Sequence, residues 1–456
     1  MLHIIKNTSH RILLLFVFMC LLTLIFFLFY HALQPKKSLV ICIEGDRNAV
    51  ASSSILQWYQ KPSSIRFVGE YDRTYISWIS QSGKIQIRYY DNIKNVFSPV
   101  YTVDDLYPHF KIESKDDHNA PSLLILPDGN ILIFYVVHDV NDSFFMKQTV
   151  RAEDISSWTA RKNISDPGPS SPYNYPQARR LENGDIFLFY RHGYHYNSNE
   201  YYKISKDNGQ TWESAVKLID FGSDGVYALI FAKNETIHVT WSEALPAPPR
   251  KNVYYIYSPD KGITWMKKNK TKLTLPATRD NADMVFDSEY EANSVWDIVA
   301  DEKNNPFIVF AYKQDPEHQY LFAQWDKASW TTDFITMSEQ LYGNGHFFSG
   351  GIVIDPHDVY TVYLSKKRGR LEIEKWKSKD KGKTWRLAEE ITKDSGQDNF
   401  RMQLVENYTD NLRLVWASGV YEGLVDNQWT GFSHVNIQSD KTKESIPRKD
   451  CKTRPL

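Results

Sequence analysis

Cysteine is scarce, with three in 456 residues, which excludes a small disulfide-stapled domain and a cysteine-rich zinc fold. Charge of one sign is missing too: 54 Lys and Arg stand against 55 Asp and Glu, for a net charge of −1. A nucleic-acid-binding face needs a basic surplus, so nucleic acid is excluded as a partner, and any anionic ligand must be met by local charge. The chain has no phosphate-cradling glycine loop, no HExxH and no CxxC spacing, which removes the common nucleotide and zinc chemistries. Long amphipathic helical patterns are absent. What is present is 28 Tyr, 24 Phe and 13 Trp, with Val, Ile and Thr in short runs between Gly, Pro, Asn and Asp. Such runs read as strands.

Ile12 to Tyr30 is a single uncharged stretch of 19 residues, long enough to cross a bilayer as a helix. It is too long for a signal-peptide core, and His31-Ala32-Leu33 makes a poor cleavage site. A short flank (1–11) and an uncleaved signal anchor (12–33) are therefore expected, with the remaining chain on the exported side, whether periplasmic, extracellular or lumenal. Cys20 lies inside this run; Cys42 and Cys451 are left as either a terminal disulfide or two unrelated thiols. Asn141, Asn163, Asn234, Asn269 and Asn407 open Asn-x-Ser/Thr sites, which are permitted glycan positions.

A turn followed by an apolar strand recurs every 50 or so residues, the spacing of a repeat architecture. Its copies are EYDRTYISW (70–78), PDGNILIFY (127–135), ENGDIFLFY (182–190), KNETIHVTW (233–241), EKNNPFIVF (302–310), DPHDVYTVYL (355–364) and ENYTDNLRLVW (406–416). Overlaid on them are SKDNGQTW (205–212), SPDKGITW (258–265) and SKDKGKTW (378–385). These resemble the Asp box of sialidase-like propellers: Asp closes a turn, Gly supplies a positive φ, and Trp plugs a gap between sheets. The expected fold is all-β, a seven-bladed β-propeller spanning 65–437, behind a connector or ring-closing segment (34–64) and followed by a tail (438–456).

Residues equidistant from a hairpin turn become neighbours at its open end. Around Asp128-Gly129 this pairs His118 with His138, and around Asn183-Gly184 it pairs Tyr175 with Arg191. If both hairpins are inner strands of adjacent blades, the four side chains meet at one mouth. The same counting brings Tyr227, Lys313, Lys366 and Arg401 near it, as a cationic rim suited to an anionic ligand.

HNAPSLLILPDGNILIFYVVH (118–138) and YPQARRLENGDIFLFYR (175–191), followed by the Asp box at 205, resemble the BNR-type propellers that include ulvan lyases. The resemblance extends from about 65 to about 435 and is sharpest at 118–265. It implies a monomeric polysaccharide lyase acting on an anionic, uronic-acid-containing polymer by β-elimination, with no required cofactor and room for a structural cation. Arg191 matches the position that neutralises the uronate carboxylate, an electrostatic role. His118 and Tyr175 match the base and acid, in either order, with His138 in support, and Tyr227 matches a further family tyrosine. Ile230 and SEALPAPPRKN (242–252) depart from the family pattern where substrate is contacted, which leaves the polymer open. Two other readings stay in play: a non-catalytic polysaccharide-binding propeller used in export or assembly, and a sialidase-type hydrolase. The hydrolase would need an Arg triad. No metal site is assigned; His192 and His195 read as a polar loop.

Overall fold

The computed structural model describes residues 38–41, 49–110, 116–194, 197–244, 250–289, 291, 293–314, 317–338, 349–425, 428–440 and 452–455. By its contacts the chain divides into two units, Met1–Arg47 with Lys443–Leu456, and Asn48–Thr442. In the first, Ser38–Ile41 pairs antiparallel with Lys452–Pro455. The anchor expected at 12–33, and Cys20, Cys42 and Cys451, lie outside the described residues. Among the described residues no helix is long and apolar enough to cross a membrane.

The second unit is all-β and propeller-like. Antiparallel meanders follow one another along the chain, such as Tyr173–Arg180, Ile186–His192, Asn199–Ser205 and Val216–Ile219, paired in that order. Similar meanders run Asn293–Ala300 to Ser329–Ser338 and Ile352–Ile354 to Arg386–Glu390. Each turn-and-strand repeat supplies the second strand of such a run, from Asp72–Ser80 through Ile131–Val136 to Leu412–Val425. Their near-continuous apolar sequences follow from this position, because a strand covered on both faces has no polar side to alternate with. All six residues of Ile131–Val136 are buried.

The first and last parts of this unit share one sheet. Ala49–Ala51 pairs with Gln428–Ser439, and Glu406 meets Ile65 in a parallel bridge. Residues of the expected connector thus form sheet, and the expected tail boundary at 438 falls inside a strand. Closing a sheet with both chain ends removes free edges, which are aggregation-prone.

The three Asp boxes close the turns after third strands, at the opposite end from His118. In the second, Ser258 Oγ bonds Asp260 Oδ1 (3.0 Å) and accepts from Gly262 N (2.8 Å), while Asp260 Oδ1 accepts from Thr264 N (2.8 Å). Gly262 has φ +78°, and Trp265 is 3% exposed. The boxes are turn locks.

Candidate active site

The hairpin closed at Gly129 pairs Ile131 with Ile125 and Phe134 with Ser122. Carried to the open end, that register sets position 138 against 118. The two imidazoles stack with centroids 4.0 Å apart and planes within 7°. His118 rides on the short turn Asp117–Asn119, and the His138 N–H donates to Asn119 Oδ1 (2.8 Å). The Asp116 carboxylate bonds both rings, His118 Nδ1 at 2.5 Å and His138 Nδ1 at 2.6 Å. Burial alone would lower the His118 pKa, but Asp116 and Asp117 outweigh it and push it up to about 10. His118 is therefore an imidazolium at neutral pH. Burial would raise Asp116, yet the two histidines hold it well below the usual carboxylate range.

Asp117 lies behind this pair, fully buried. It is ion-paired with Arg401 and accepts from Tyr421 Oη (3.0 Å) and Gln57 Nε2 (3.1 Å). Asp116, His118 and His138 offer ligand atoms within 4.8 Å of one another, and are the candidates for a cation among the described residues. Both Nδ1 atoms are already engaged by Asp116, so the group is complete as a hydrogen-bonded set. His192 instead stacks on Tyr173 (4.2 Å) and bonds Ser171, and His195 is outside the described residues.

Tyr175 enters through an irregularity. Arg191 pairs with Asn174, and Phe189 with Gln177, so Tyr175 and Pro176 stand opposite Tyr190 alone and one extra residue bulges there. Tyr175 has φ +54° there. A bulky side chain in the left-handed region is strained, and bulges re-aim side chains beside functional sites. The bulge turns Tyr175 onto His118, with ring centroids 5.5 Å apart. Arg401 repeats the device, at φ +52° in the bulge between Phe400 and Gln403.

Arg191, 4% exposed, lies opposite Glu200 and sets its Cζ 4.2 Å from the Tyr227 ring centroid. Burial pushes Glu200 well above its usual pKa, against the pull of Arg191. Tyr227 packs 5.7 Å from Tyr175 and 5.4 Å from Tyr59. Against its ring lies Arg250, Cζ at 3.6 Å, with Nη1 donating to Tyr59 Oη (2.9 Å) and Ser294 Oγ (3.1 Å).

The structure thus brings His118, His138, Tyr175, Arg191 and Tyr227 together. Arg401 sits beneath them, 1% exposed, against Trp58 and Tyr421. Lys313 lies opposite His318, and Lys366 Nζ donates to Met337 O (2.9 Å). Sequence reading missed Asp116, Asp117, Tyr59 and Arg250. Two carboxylates directly before His118 were a signal for the first two. Arg250 follows the proline-rich sequence LPAPP, which offers no turn signal to count from.

The chain is similar to known proteins. An ulvan lyase of Alteromonas sp. (strain LOR) is 25% identical over 347 residues, 66% of this chain and 69% of that protein. The Ulvan Lyase-PL25 of Pseudoalteromonas sp. (strain PLSV) is 31% identical over 204 residues, 37% of this chain and 40% of that one. A solved PL25 ulvan lyase bound to -[GlcA(1-4)Rha3S]- superposes with a TM-score of 0.67 at 19% identity, covering 86% of this chain and 94% of that one, a likeness of fold. The pattern of the BNR repeat-containing family member matches residues 73–338, more than half of the 456. With its repeats, its paired hairpins and these ulvan-lyase-like relatives, the chain belongs to the BNR repeat-containing family.

Proposed function

We propose that the chain is a polysaccharide lyase that cleaves a uronic-acid-containing polymer by β-elimination. One observation carries the reading: an imidazolium, a buried guanidinium and two tyrosines converge on one mouth, in a chain whose relatives are ulvan lyases. The C5 proton of a uronate is weakly acidic while the neighbouring carboxylate is ionised. Arg191 pairs with that carboxylate and stabilises the enolate-like charge of the transition state. A tyrosinate takes the C5 proton, the electron pair forms the C4–C5 double bond, and the C4–O4 bond breaks. The departing O4 takes a proton from the acid. His118, held as an imidazolium by Asp116, supplies it, and His138 fixes the carboxylate from the other side.

Arg401 neutralises Asp117 beneath the floor, while Lys313 and Lys366 are read as outer contacts for a long anionic chain. Because the charge of Arg401 is committed to Asp117, the Arg triad of a sialidase is not assembled from Arg191, Arg250 and Arg401. We read the meanders as seven blades and residues 12–33 as the anchor that holds them on the exported side of a membrane.

The experiment incubates the chain with ulvan, polyglucuronate, pectate and alginate and follows the ultraviolet absorbance of an unsaturated uronate. The lyase reading expects the chromophore and its loss in His118→Ala and Arg191→Ala. New reducing ends without the chromophore identify a hydrolase; polymer retained with neither product identifies a binding module.

A further inference from the structure

The end of the propeller-like unit that carries the Asp boxes, away from His118, holds a cavity of about 800 Å³, a volume in the range of small-ligand clefts. Three consecutive meanders build it: Lys268 and Lys270 come from the first, Trp325 and Lys327 from the second, and Tyr360 and Lys381 from the third. Lys381 belongs to the third Asp box, SKDKGKTW. Three half-buried aromatic rings, those of Tyr257, Trp325 and Tyr360, line the cavity. Trp325 packs edge-on against Trp330 (5.7 Å), which in turn packs on Tyr255 (5.0 Å), and Tyr360 packs on Phe307 (5.8 Å). Rings anchored on one side with surface left uncovered serve as amphipathic platforms.

The charges around these rings are mixed. Lys268 Nζ donates to Asn304 O (3.0 Å) and lies 5.7 Å from the centre of the Tyr257 ring. Lys270, Lys327 and Lys381 are exposed and enter no ion pair among the described residues. Asp301, which accepts from Asn305 Nδ2 (3.0 Å), and Asp333 stand among them. A uniformly charged polyanion would meet these carboxylates as well as the lysines. A saccharide that carries sulfate or carboxylate groups among hydroxyls satisfies both: its anions meet the lysines, its hydroxyls donate to the carboxylates, and its C–H surface lies on the rings.

We propose that this cavity is a second, non-catalytic binding site for an anionic saccharide, occupied by another stretch of the polymer that is cleaved at the mouth; the identity of the occupant rests on the lyase reading. Cavity and mouth lie at opposite ends of the unit, so one short oligosaccharide cannot fill both. Holding a long polymer at one end raises its effective concentration at the other. Short substrates gain nothing from this, which separates the second site from the chemistry.

The test uses the full-length chain made without glycans, because Asn269 at the rim is a permitted glycan position. In the His118→Ala background, which leaves polymer intact, the chain is run through native gels containing ulvan, polyglucuronate, pectate or alginate. At least one polymer is expected to retard it, while neutral dextran and polyglutamate do not. Lys270→Glu with Lys381→Glu, and separately Trp325→Ala, should weaken that retardation about tenfold. With His118 restored, on the polymer that yields the chromophore, the same variants should raise KM about tenfold at unchanged kcat and leave turnover of a tetrasaccharide at the wild-type value. Wild-type retardation and KM in both variants, or no retardation of the parent by any of the four polymers, overturns the proposal. Equal retardation by polyglutamate overturns the saccharide assignment. Retardation that the variants abolish, in a chain that forms no chromophore on any polymer, defeats the lyase reading and leaves the site standing; chromophore with no effect of the variants does the reverse. If either variant lowers the unfolding midpoint, Lys270→Gln with Lys381→Gln decides.

Discussion

His118 and His138 stack at 4.0 Å and share one carboxylate, Asp116. Burial opposes a charge on the His118 ring, but Asp116 beside it makes protonating that ring favourable. Asp117 adds a second negative charge 3.2 Å from its Nδ1. The pair acts as one unit whose charge is set by the acids behind it.

Asp116→Asn is therefore expected to act on proton supply more than on substrate affinity. The high-pH limb of kcat/KM, which belongs to His118 near pH 10, should fall by about one pH unit or more, with kcat/KM at pH 10 reduced about fivefold or more. A pH–rate profile of the variant checks this. An unchanged limb would mean that the protonation of His118 does not limit the reaction.

The pH dependence of stability offers a second check. His118 has a folded pKa raised above its unfolded value, so its stabilisation is complete below about pH 6.5 and is lost as pH rises toward 10. Tyr227 has a folded pKa depressed to about 7, so its stabilisation is absent at low pH and grows between pH 7 and 10. The two slopes, each about 1.4 kcal/mol per pH unit at most, oppose each other in that window. His118→Gln should gain stability from pH 7.5 to 9.5 and Tyr227→Phe should lose it, relative to a flatter wild type, in thermal or denaturant unfolding.

Arg401→Ala removes the guanidinium paired with Asp117, a carboxylate with no exposed surface, and leaves it only the His118 imidazolium. Breaking such a pair costs about 3–5 kcal/mol. Denaturant unfolding should show a loss of that order, and Asp117→Asn combined with Arg401→Met should recover part of it.

The Asp boxes should separate stability from catalysis. Asp260→Ala removes the acceptor of Thr264 N and Oγ1 (2.8 and 2.7 Å), at a cost of about 1 kcal/mol. Unfolding midpoint should drop while kcat stays at the wild-type value.

Where backbone pairing is regular, sequence spacing was a sufficient ruler. The 118–138 hairpin is regular between its turn and Ser122, so counting outward from Asp128-Gly129 placed two histidines face to face. In the next hairpin the count was off by one: Arg191 pairs with Asn174, and Tyr175 reaches the site through a bulge that no propensity announces. Arg250 and Tyr59 were invisible for another reason. They arrive from a loop and from the segment before the first repeat, and their place is set by packing on Ser294 and Val295 rather than by local pattern.

The sheet that joins Ala49–Ala51 to Gln428–Ser439 also sets when the site can exist. Gln57, Asp117 and Arg401 bond one another beneath His118 although 344 positions separate the first from the last. During synthesis the histidine hairpin emerges early, and its counter-charge arrives only with the final strands. Activity is consequently an all-or-none property of the finished chain, and a truncation that spares every proton-handling residue but ends before Arg401 should be silent.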